Sequence, residues 1–150
     1  MFIEGKNLVK KYGKGEATVF ALDHTDFSME KGEIVVILGP SGSGKSTLLN
    51  ILGGLDKVTE GSMLVEGKDL EQMSAKELEL YRRNQLGFVF QSYNLTPDLT
   101  VRENIEMTAE LVNDPISVDT LLENLGLVKY QKHFPKELSG GQQQRVAIAR

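Results

Sequence analysis

The sequence predicts an α/β protein with a parallel sheet at its core, and three observations support this fold class. Residues 33–38 (EIVVIL) form a continuous run rich in β-branched side chains, which is typical of a strand covered on both faces. The glycine-rich segment GPSGSGKST follows this run directly and leads into the helical pattern LLNILGGL. Strand and helix patterns alternate along the rest of the chain, as they do in parallel α/β sheets.

The first half of the chain is expected to contain a strand-rich lobe and two helices. Residues 1–31 alternate weakly and contain turn-prone glycines, which favours strands. After the glycine-rich segment, a helix is expected to end near its Gly-Gly pair, and SMLVEG favours a short strand. Ser74 and Glu77 have the spacing of a capping box, so a second helix is predicted from there to about Asn84.

Predicted strands and helices also alternate in the second half of the chain. Residues 86–91 (LGFVFQ) are a second candidate for a buried strand. Thr100 and Glu103 form another capping box, for a helix reaching about Val112 before an Asn-Asp-Pro stop. A further helix is expected over residues 118–125, where a glycine closes it.

Composition and charge exclude several classes of function. The 150 residues carry a formal net charge of −4 and contain no cysteine, so disulfides and thiolate metal sites are excluded. There is no dense cluster of Lys and Arg, and we therefore expect no nucleic-acid partner. Residues 34–38 are the longest aliphatic run, far short of the ~20 residues that a membrane span needs. Since residues 1–10 also lack the features of a signal peptide, we expect the chain to meet a membrane only through a partner.

The glycine-rich segment carries the clearest functional motif, because it matches G-x-x-x-x-G-K-[ST] between a predicted strand and a predicted helix. Its glycines let the backbone turn N–H groups inward as a nest for phosphate oxygens, and the helix N-terminus adds partial positive charge. Lys45 can reach the outer phosphates, Ser46 can ligate Mg²⁺, and Thr47 can donate to an inner phosphate. The alternative is a glycine-rich turn without a ligand. The predicted phosphate loop consists of Gly39, Pro40, Ser41, Gly42, Ser43, Gly44, Lys45, Ser46 and Thr47.

The last predicted helix begins with features that suit an anion. Ser139 and Gln142 have capping-box spacing, and a well-capped helix is the purely structural explanation. Capping does not explain Gly140 and Gly141, because glycine destabilises a helix relative to alanine, whereas bare backbone allows an anion to approach closely. The phosphate loop already provides one full cradle, so a second anion site on the same chain suggests a nucleotide held between two chains, head to tail.

Two motifs together give the chain a family resemblance. LSGGQ (residues 138–142), downstream of the phosphate loop, resembles the signature of the nucleotide-binding subunits of ABC transporters, and the similarity extends through nearly all of the chain. The segments ILGGLDKVTEGSMLVEGKDL, FVFQSYNLTPDLTVREN and LSGGQQQRVAIAR are most similar to the branch that includes macrolide-efflux and lipoprotein-release ATPases. The resemblance implies a P-loop NTPase fold of the ABC ATPase type, with an N-terminal antiparallel β lobe, a parallel core sheet and an inserted helical subdomain. It implies a partial domain over residues 1–150, with its core at about 1–92 and 136–150 and the helical subdomain at about 93–135.

The resemblance also implies roles for individual residues. Tyr12 matches the aromatic residue that stacks on adenine, and the alternative is a packed or half-exposed strand tyrosine. Lys45 and Gln91 match catalytic positions, and Gln91 would sense Mg²⁺ and the attacking water while linking to the membrane partner. The alternative for Gln91 is a polar residue at a strand end. The signature that closes over the γ-phosphate of ATP on a second subunit is matched by Ser139, Gly140, Gly141 and Gln142.

One element that the resemblance implies is missing from the sequence. ABC ATPases hold Mg²⁺ with an aspartate at the end of a second buried strand and have a glutamate directly after it, but no run of four apolar residues followed by Asp-Glu occurs here. In the family that segment follows RVAIAR within a few residues. We therefore expect an incomplete record of a longer subunit, with a core sheet that is incomplete at the C-terminus and residues 34–38 and 86–90 left as unpaired strand edges. The 150 residues alone are expected to be inactive, because the general base is lacking.

Three functions remain open from the sequence. The first is an ATPase subunit that uses ATP and Mg²⁺ to drive export or extraction of a substrate by transmembrane permease subunits, at the cytoplasmic face of the cell membrane. The second is a related ATPase acting on DNA or the ribosome, which the acidic balance and the lack of sustained heptads between the two motifs disfavour. The third is a nucleotide-binding or interaction fragment without turnover.

Overall fold

The computed structural model describes all of residues 1–150. They form two compact units, Met1–Leu86 and Gly87–Arg150, and each unit has its own hydrophobic core. None of the helices is both long enough and apolar enough to cross a bilayer. The division into a core and a helical subdomain that the family resemblance implies stays a prediction.

A four-stranded antiparallel sheet forms the framework of the first unit. Its strands are β1 (Ile3–Tyr12), β2 (Val19–Met29), β3 (Glu60–Val65) and β4 (Lys68–Asp69), in the order β2-β1-β3-β4. In the centre of this sheet, Ile3 of β1 lies opposite Met29 of β2 on one side and Val65 of β3 on the other. The predicted N-terminal antiparallel lobe is therefore confirmed, and it recruits two strands from beyond residue 31.

β1 and β3 approach each other closely at Gly61. This residue has a φ of +95°, and a Cβ there would lie 2.3 Å from the carbonyl oxygen of Asn7. Only glycine fits both the conformation and the space. The pairing of β1 with β3 shifts register at the same place, and the resulting bulge leaves Leu8 and Val9 buried.

Two helices share a hydrophobic core with the sheet: α1 (Lys45–Leu52) and α2 (Ala75–Gln85). The hydroxyl of Tyr81 in α2 donates to the carbonyl of Leu52 at 2.8 Å and so fixes α2 to the end of α1. The capping box predicted at Ser74 is present. The buried residues of this core are Ile3, Leu8, Leu22, Leu48, Ile51, Met63, Val65, Leu70, Leu78 and Tyr81.

The two predicted core strands do not form in this structure, and this corrects the expectation of a parallel sheet among these residues. Residues 33–38 and 86–90 belong to no strand, and all strand pairs of the chain are antiparallel. The side chains of Ile34 and Leu38 are 92% and 86% exposed. A strand needs a hydrogen-bonded neighbour, and no other segment pairs with these two runs. Their lack of strand neighbours agrees with the expectation that both are left unpaired.

The second unit is helical. It contains α3 (Val101–Ala109), α4 (Val118–Asn124), α5 (Gly140–Ala149) and two short 3₁₀ turns between α4 and α5. The capping boxes predicted at Thr100 and Ser139 are both present. α3 ends before the predicted Val112, because the amide of Val112 bonds to the carbonyl of Ala109 in a tight turn instead of continuing the helix. The buried core consists of Val101, Ile105, Leu122, Leu127, Leu138, Val146 and Ala149.

The far end of α5 is tied to two other parts of this unit. The guanidinium of Arg150 donates to the hydroxyl of Thr108 at 3.3 Å and to the carbonyl of Asn94 at 2.5 Å. Asn94 lies in the turn that follows Gln91, where Tyr93 and Asn94 both have positive φ values of 60° and 49°. Arg150 therefore joins α5 to α3 and to this turn.

Candidate functional site

The predicted phosphate loop curls around the start of α1. Gly42 and Gly44 have φ values of +80° and +84°, which glycine adopts without strain. A Cβ at Gly44 would also lie 2.2 Å from the carbonyl oxygen of Ala21 in β2, whereas a Cβ at Gly42 would meet nothing within 4 Å. Gly44 is thus required by both conformation and space, and it brings the loop against β2.

The first turn of α1 leaves its backbone donors without acceptors. Gly44 is the N-cap residue and has no side chain to cap the helix. The first helical hydrogen bond runs from the amide of Leu48 to the carbonyl of Gly44 at 2.9 Å. The amides of Lys45, Ser46 and Thr47 therefore point out of the helix end, where the helix dipole adds positive charge. This arrangement fits the terminal oxygens of a phosphate group.

The side chain of Lys45 folds back over the phosphate loop. Its ammonium donates to the carbonyls of Gly39 at 2.8 Å and Pro40 at 2.6 Å, and it lies 3.4 Å from the hydroxyl of Ser43. These contacts hold the positive charge over the loop. Lys45 also lines a cleft of about 530 Å³ between the loop and β2, which Leu22 and Leu48 line as well.

Tyr12 is the last residue of β1, and it is 44% exposed. Its hydroxyl donates to Oδ2 of Asp56 at 2.6 Å. This hydrogen bond, followed by partial burial and the negative charge of Asp56, raises the pKa of Tyr12, and the hydroxyl of Thr47 opposes the shift. Tyr12 therefore stays a neutral phenol beside the first turn of α1. Tyr12 thus lies close to Thr47, the last residue of the predicted phosphate loop.

Asp56 is a residue of this site that no sequence pattern predicts. Burial alone would raise the pKa of Asp56, but hydrogen bonds from Lys10, Tyr12 and the amide of Lys57 outweigh it and hold that pKa below its ordinary value. Lys10 donates to Oδ1 at 2.5 Å and also to the carbonyl of Lys57 at 2.7 Å. A single aspartate after a Gly-Gly-Leu turn belongs to no spacing pattern, so no signal in the sequence pointed to it.

The predicted signature turn opens α5 in the second unit. The hydroxyl of Ser139 accepts from the amide of Gln142 at 3.4 Å, and Oε1 of Gln142 accepts from the amide of Ser139 at 2.7 Å. Gly140 and Gly141 are exposed, and a Cβ at either position would meet nothing within 4 Å. Packing within this chain therefore does not explain the two glycines, and their backbone is open to a ligand.

Gln91 is exposed and lies in a turn of the second unit, not at a strand end. The amide of Tyr93 bonds to the carbonyl of Phe90 at 3.0 Å and closes this turn around Gln91. The alternative interpretation of Gln91 as a strand-end residue is wrong here, because residues 86–90 form no strand. Its role toward Mg²⁺ and water stays a prediction.

Comparisons with known proteins identify the family. A family model described as ABC transporter matches residues 22–150. The chain is 48% identical, over 99% of its length and 32% of the relative's, to a putative ABC transporter ATP-binding protein of Mycoplasma pneumoniae. It is 46% identical, over 99% of its length and 23% of the relative's, to a macrolide export ATP-binding/permease protein of Rhodopseudomonas palustris. The chain thus spans about a third or less of the length of these curated relatives.

A solved structure shares the fold. The dimeric post-hydrolysis state of an ATP-binding cassette bound to ADP and Pi matches with a TM-score of 0.88 and 42% identity, over 98% of this chain and 67% of that one. The resemblance inferred from LSGGQ and the phosphate loop is confirmed, and so is the ABC ATPase fold, although the parallel strands of its core do not form among these residues. This chain belongs to the ABC transporter family and has the fold of its ATP-binding cassettes.

Proposed function

We propose that the chain is the ATP-binding part of an ATPase subunit that powers an ABC transporter. The observation that carries this proposal is the set of three amides without acceptors at the start of α1, with Tyr12 beside them. The amides of Lys45, Ser46 and Thr47 hold phosphate oxygens, and the half-exposed ring of Tyr12 supports the adenine. A nucleotide triphosphate has these two parts, a polyanion and an aromatic base.

Lys45 supplies a point charge for the outer phosphates. Its contacts with the carbonyls of Gly39 and Pro40 already place the ammonium over the loop, so it exchanges a carbonyl for a phosphate oxygen without a large movement. Mg²⁺, when bound with ATP, neutralises charge on the phosphate oxygens. The hydroxyl of Ser46 is the group proposed to hold the ion. For Gln91, the role toward Mg²⁺ and water that the family resemblance implies is a separate proposal.

A second copy of the subunit completes the site. The open backbone at Gly140 and Gly141, at the positive end of α5, is suited to the γ-phosphate of a nucleotide bound to the partner. Ser139 and Gln142 hold this turn in place through the capping box. The similarity to a cassette solved as a dimer supports a head-to-tail pair.

The name of one relative supports our proposal for the remaining partners. Transmembrane permease subunits receive the movement of the paired ATPase subunits, at the cytoplasmic face of the cell membrane. A relative named as a macrolide export ATP-binding/permease protein favours export or extraction as the direction.

The test measures nucleotide binding and phosphate release by the full-length protein. Lys45→Ala is expected to abolish binding of ATP, because the amides alone cannot balance the charge of the triphosphate. Lys76→Ala is the matched control, since it removes one exposed lysine from α2, away from the loop. Unchanged ATP affinity in Lys45→Ala would refute the site, and binding without turnover by the full-length protein would favour a non-hydrolysing module.

A further inference from the structure

The carboxylate of Asp56 joins the end of β1 to the segment that follows α1. Its Oδ2 accepts from the hydroxyl of Tyr12 at 2.6 Å. Its Oδ1 accepts from the ammonium of Lys10 at 2.5 Å and from the amide of Lys57 at 2.8 Å. The amide of Asp56 itself bonds to the carbonyl of Asn50 in α1 at 3.2 Å. Asp56 is therefore fixed at both its backbone and its side chain.

The ring of Tyr12 depends on this carboxylate for a defined orientation. A half-exposed tyrosine at the end of a strand otherwise has several rotamers available, and ordering it costs entropy on binding. The ammonium of Lys10 lies 5.0 Å from the ring centroid and covers one face of the ring. Tyr12 is nevertheless 44% exposed, which leaves part of its surface for a stacked base. Asp56 accepts hydrogen bonds from both Lys10 and Tyr12. It therefore determines the orientation of the Tyr12 ring and which face of that ring Lys10 covers.

We propose that Asp56 is a positioning residue for the nucleobase, which holds the Tyr12 ring in the orientation on which adenine stacks. This inference rests on the proposed function, since it assigns the base to Tyr12. Because Asp56 is also bonded to α1 through Asn50, the base platform and the helix that carries the phosphate loop move as one body. The base and the phosphates are then recognised at a fixed separation.

The test compares ATP with inorganic tripolyphosphate, which has the phosphates but no base or ribose, on the full-length protein. Asp56→Ala is expected to weaken ATP binding about three- to tenfold, the effect of losing one or two hydrogen bonds. The affinity for tripolyphosphate is expected to stay the same. Tyr12→Phe keeps the ring but removes the hydroxyl, so it should weaken ATP binding to a similar degree. The double variant should be little worse than either single variant, because both remove the same contact.

Glu60→Ala is the matched control for losing a carboxylate and an ion pair. Glu60 pairs with Lys11 at 2.6 Å, on the same sheet, but does not touch Tyr12. This variant is expected to bind both ligands as the wild type does. A readout without any ligand is the ultraviolet titration of the Tyr12 phenol, isolated by subtracting a Tyr12→Phe spectrum. In Asp56→Ala its pKa should return toward the ordinary tyrosine value.

Each possible result decides the inference. If Asp56→Ala binds ATP like the wild type, Asp56 does not position the ring, and the inference fails while the proposed function stands. If Asp56→Ala binds ATP and tripolyphosphate more weakly by the same factor, Asp56 has a general structural role, which also overturns the inference. If the wild type binds neither ligand, the proposed function fails and the inference fails with it.

Discussion

Asn104 and Thr96 are joined by a pair of hydrogen bonds in the second unit. Oδ1 of Asn104 accepts from the amide of Thr96 at 2.8 Å, and its Nδ2 donates to the carbonyl of Thr96 at 3.1 Å. The same Nδ2 is also close to the carbonyls of Leu99 and Thr100, at 2.9 and 3.0 Å. Asn104 is fully buried, and its hydrogen bonds fix the conformation of the loop that precedes α3.

Asn104→Ala should therefore destabilise the protein by about 2–3 kcal/mol, because the amide of Thr96 loses its only acceptor. Urea unfolding of the full-length protein measures this change. Asn124→Ala, at the exposed end of α4, is the control and should change stability by less than about 0.5 kcal/mol. Equal stability of the two variants would show that the loop does not depend on Asn104.

Gly44→Ala should damage the phosphate loop more than Gly42→Ala does. Both residues have positive φ, but only at Gly44 does a Cβ collide with a backbone oxygen, that of Ala21 at 2.2 Å. We expect Gly44→Ala to cost more than about 2 kcal/mol, while Gly42→Ala costs about 1 kcal/mol from strain alone. Thermal unfolding separates the two variants. A larger loss for Gly42→Ala would contradict the geometry of the loop.

Gly140→Ala and Gly141→Ala should separate stability from assembly. A Cβ at either position meets nothing, and alanine has a higher helix propensity than glycine. Either variant should therefore leave the free energy of unfolding unchanged or raise it by up to about 1 kcal/mol, with no loss in unfolding temperature. Dimerisation induced by a non-hydrolysable ATP analogue should be lost, because the methyl group would stand where we propose that a phosphate bound to the partner approaches. Sedimentation velocity measures the dimer, and a wild-type dimer in both variants would exclude this turn from the interface.

Asp56 should make the stability of the first unit depend on pH. Its pKa is below the ordinary value of 3.8 in the folded chain, so its stabilising contribution is present above that value. The contribution is lost as pH falls through the lower pKa of the folded state. The difference in unfolding temperature between the wild type and Asp56→Ala should therefore be full at pH 7 and disappear in strong acid. A difference that persists unchanged in strong acid would show that charge is not the cause.

The helices were predictable because their signals are local. At Ser74, Thr100 and Ser139, the residue and its partner three positions later determine the cap by themselves, and all three capping boxes are present. The phosphate loop is equally local, since its glycines and Lys45 are contiguous. Spacing along the chain is therefore sufficient to locate both predicted parts of the nucleotide site.

Strands and long-range contacts were less predictable. EIVVIL has the composition of a buried strand, but composition cannot supply the neighbour that a strand needs, and Ile34 is left 92% exposed. The hydrogen bond between Tyr12 and Asp56 joins residues 44 positions apart. No periodicity connects them, because their contact arises from the return of the chain after α1.

α5 begins at the predicted signature turn, and Arg150, with its contacts to Thr108 and Asn94, directly follows its last residue. As a helix of ten residues it is a stiff rod of about 15 Å, so its two ends cannot shift independently. Because Arg150 holds the end of this helix to Asn94, we expect a displacement of the turn after Gln91 to tilt the helix and move the glycines at its other end. Movement of this turn and movement of the proposed γ-phosphate contact are then expected to be coupled through this one side-chain contact.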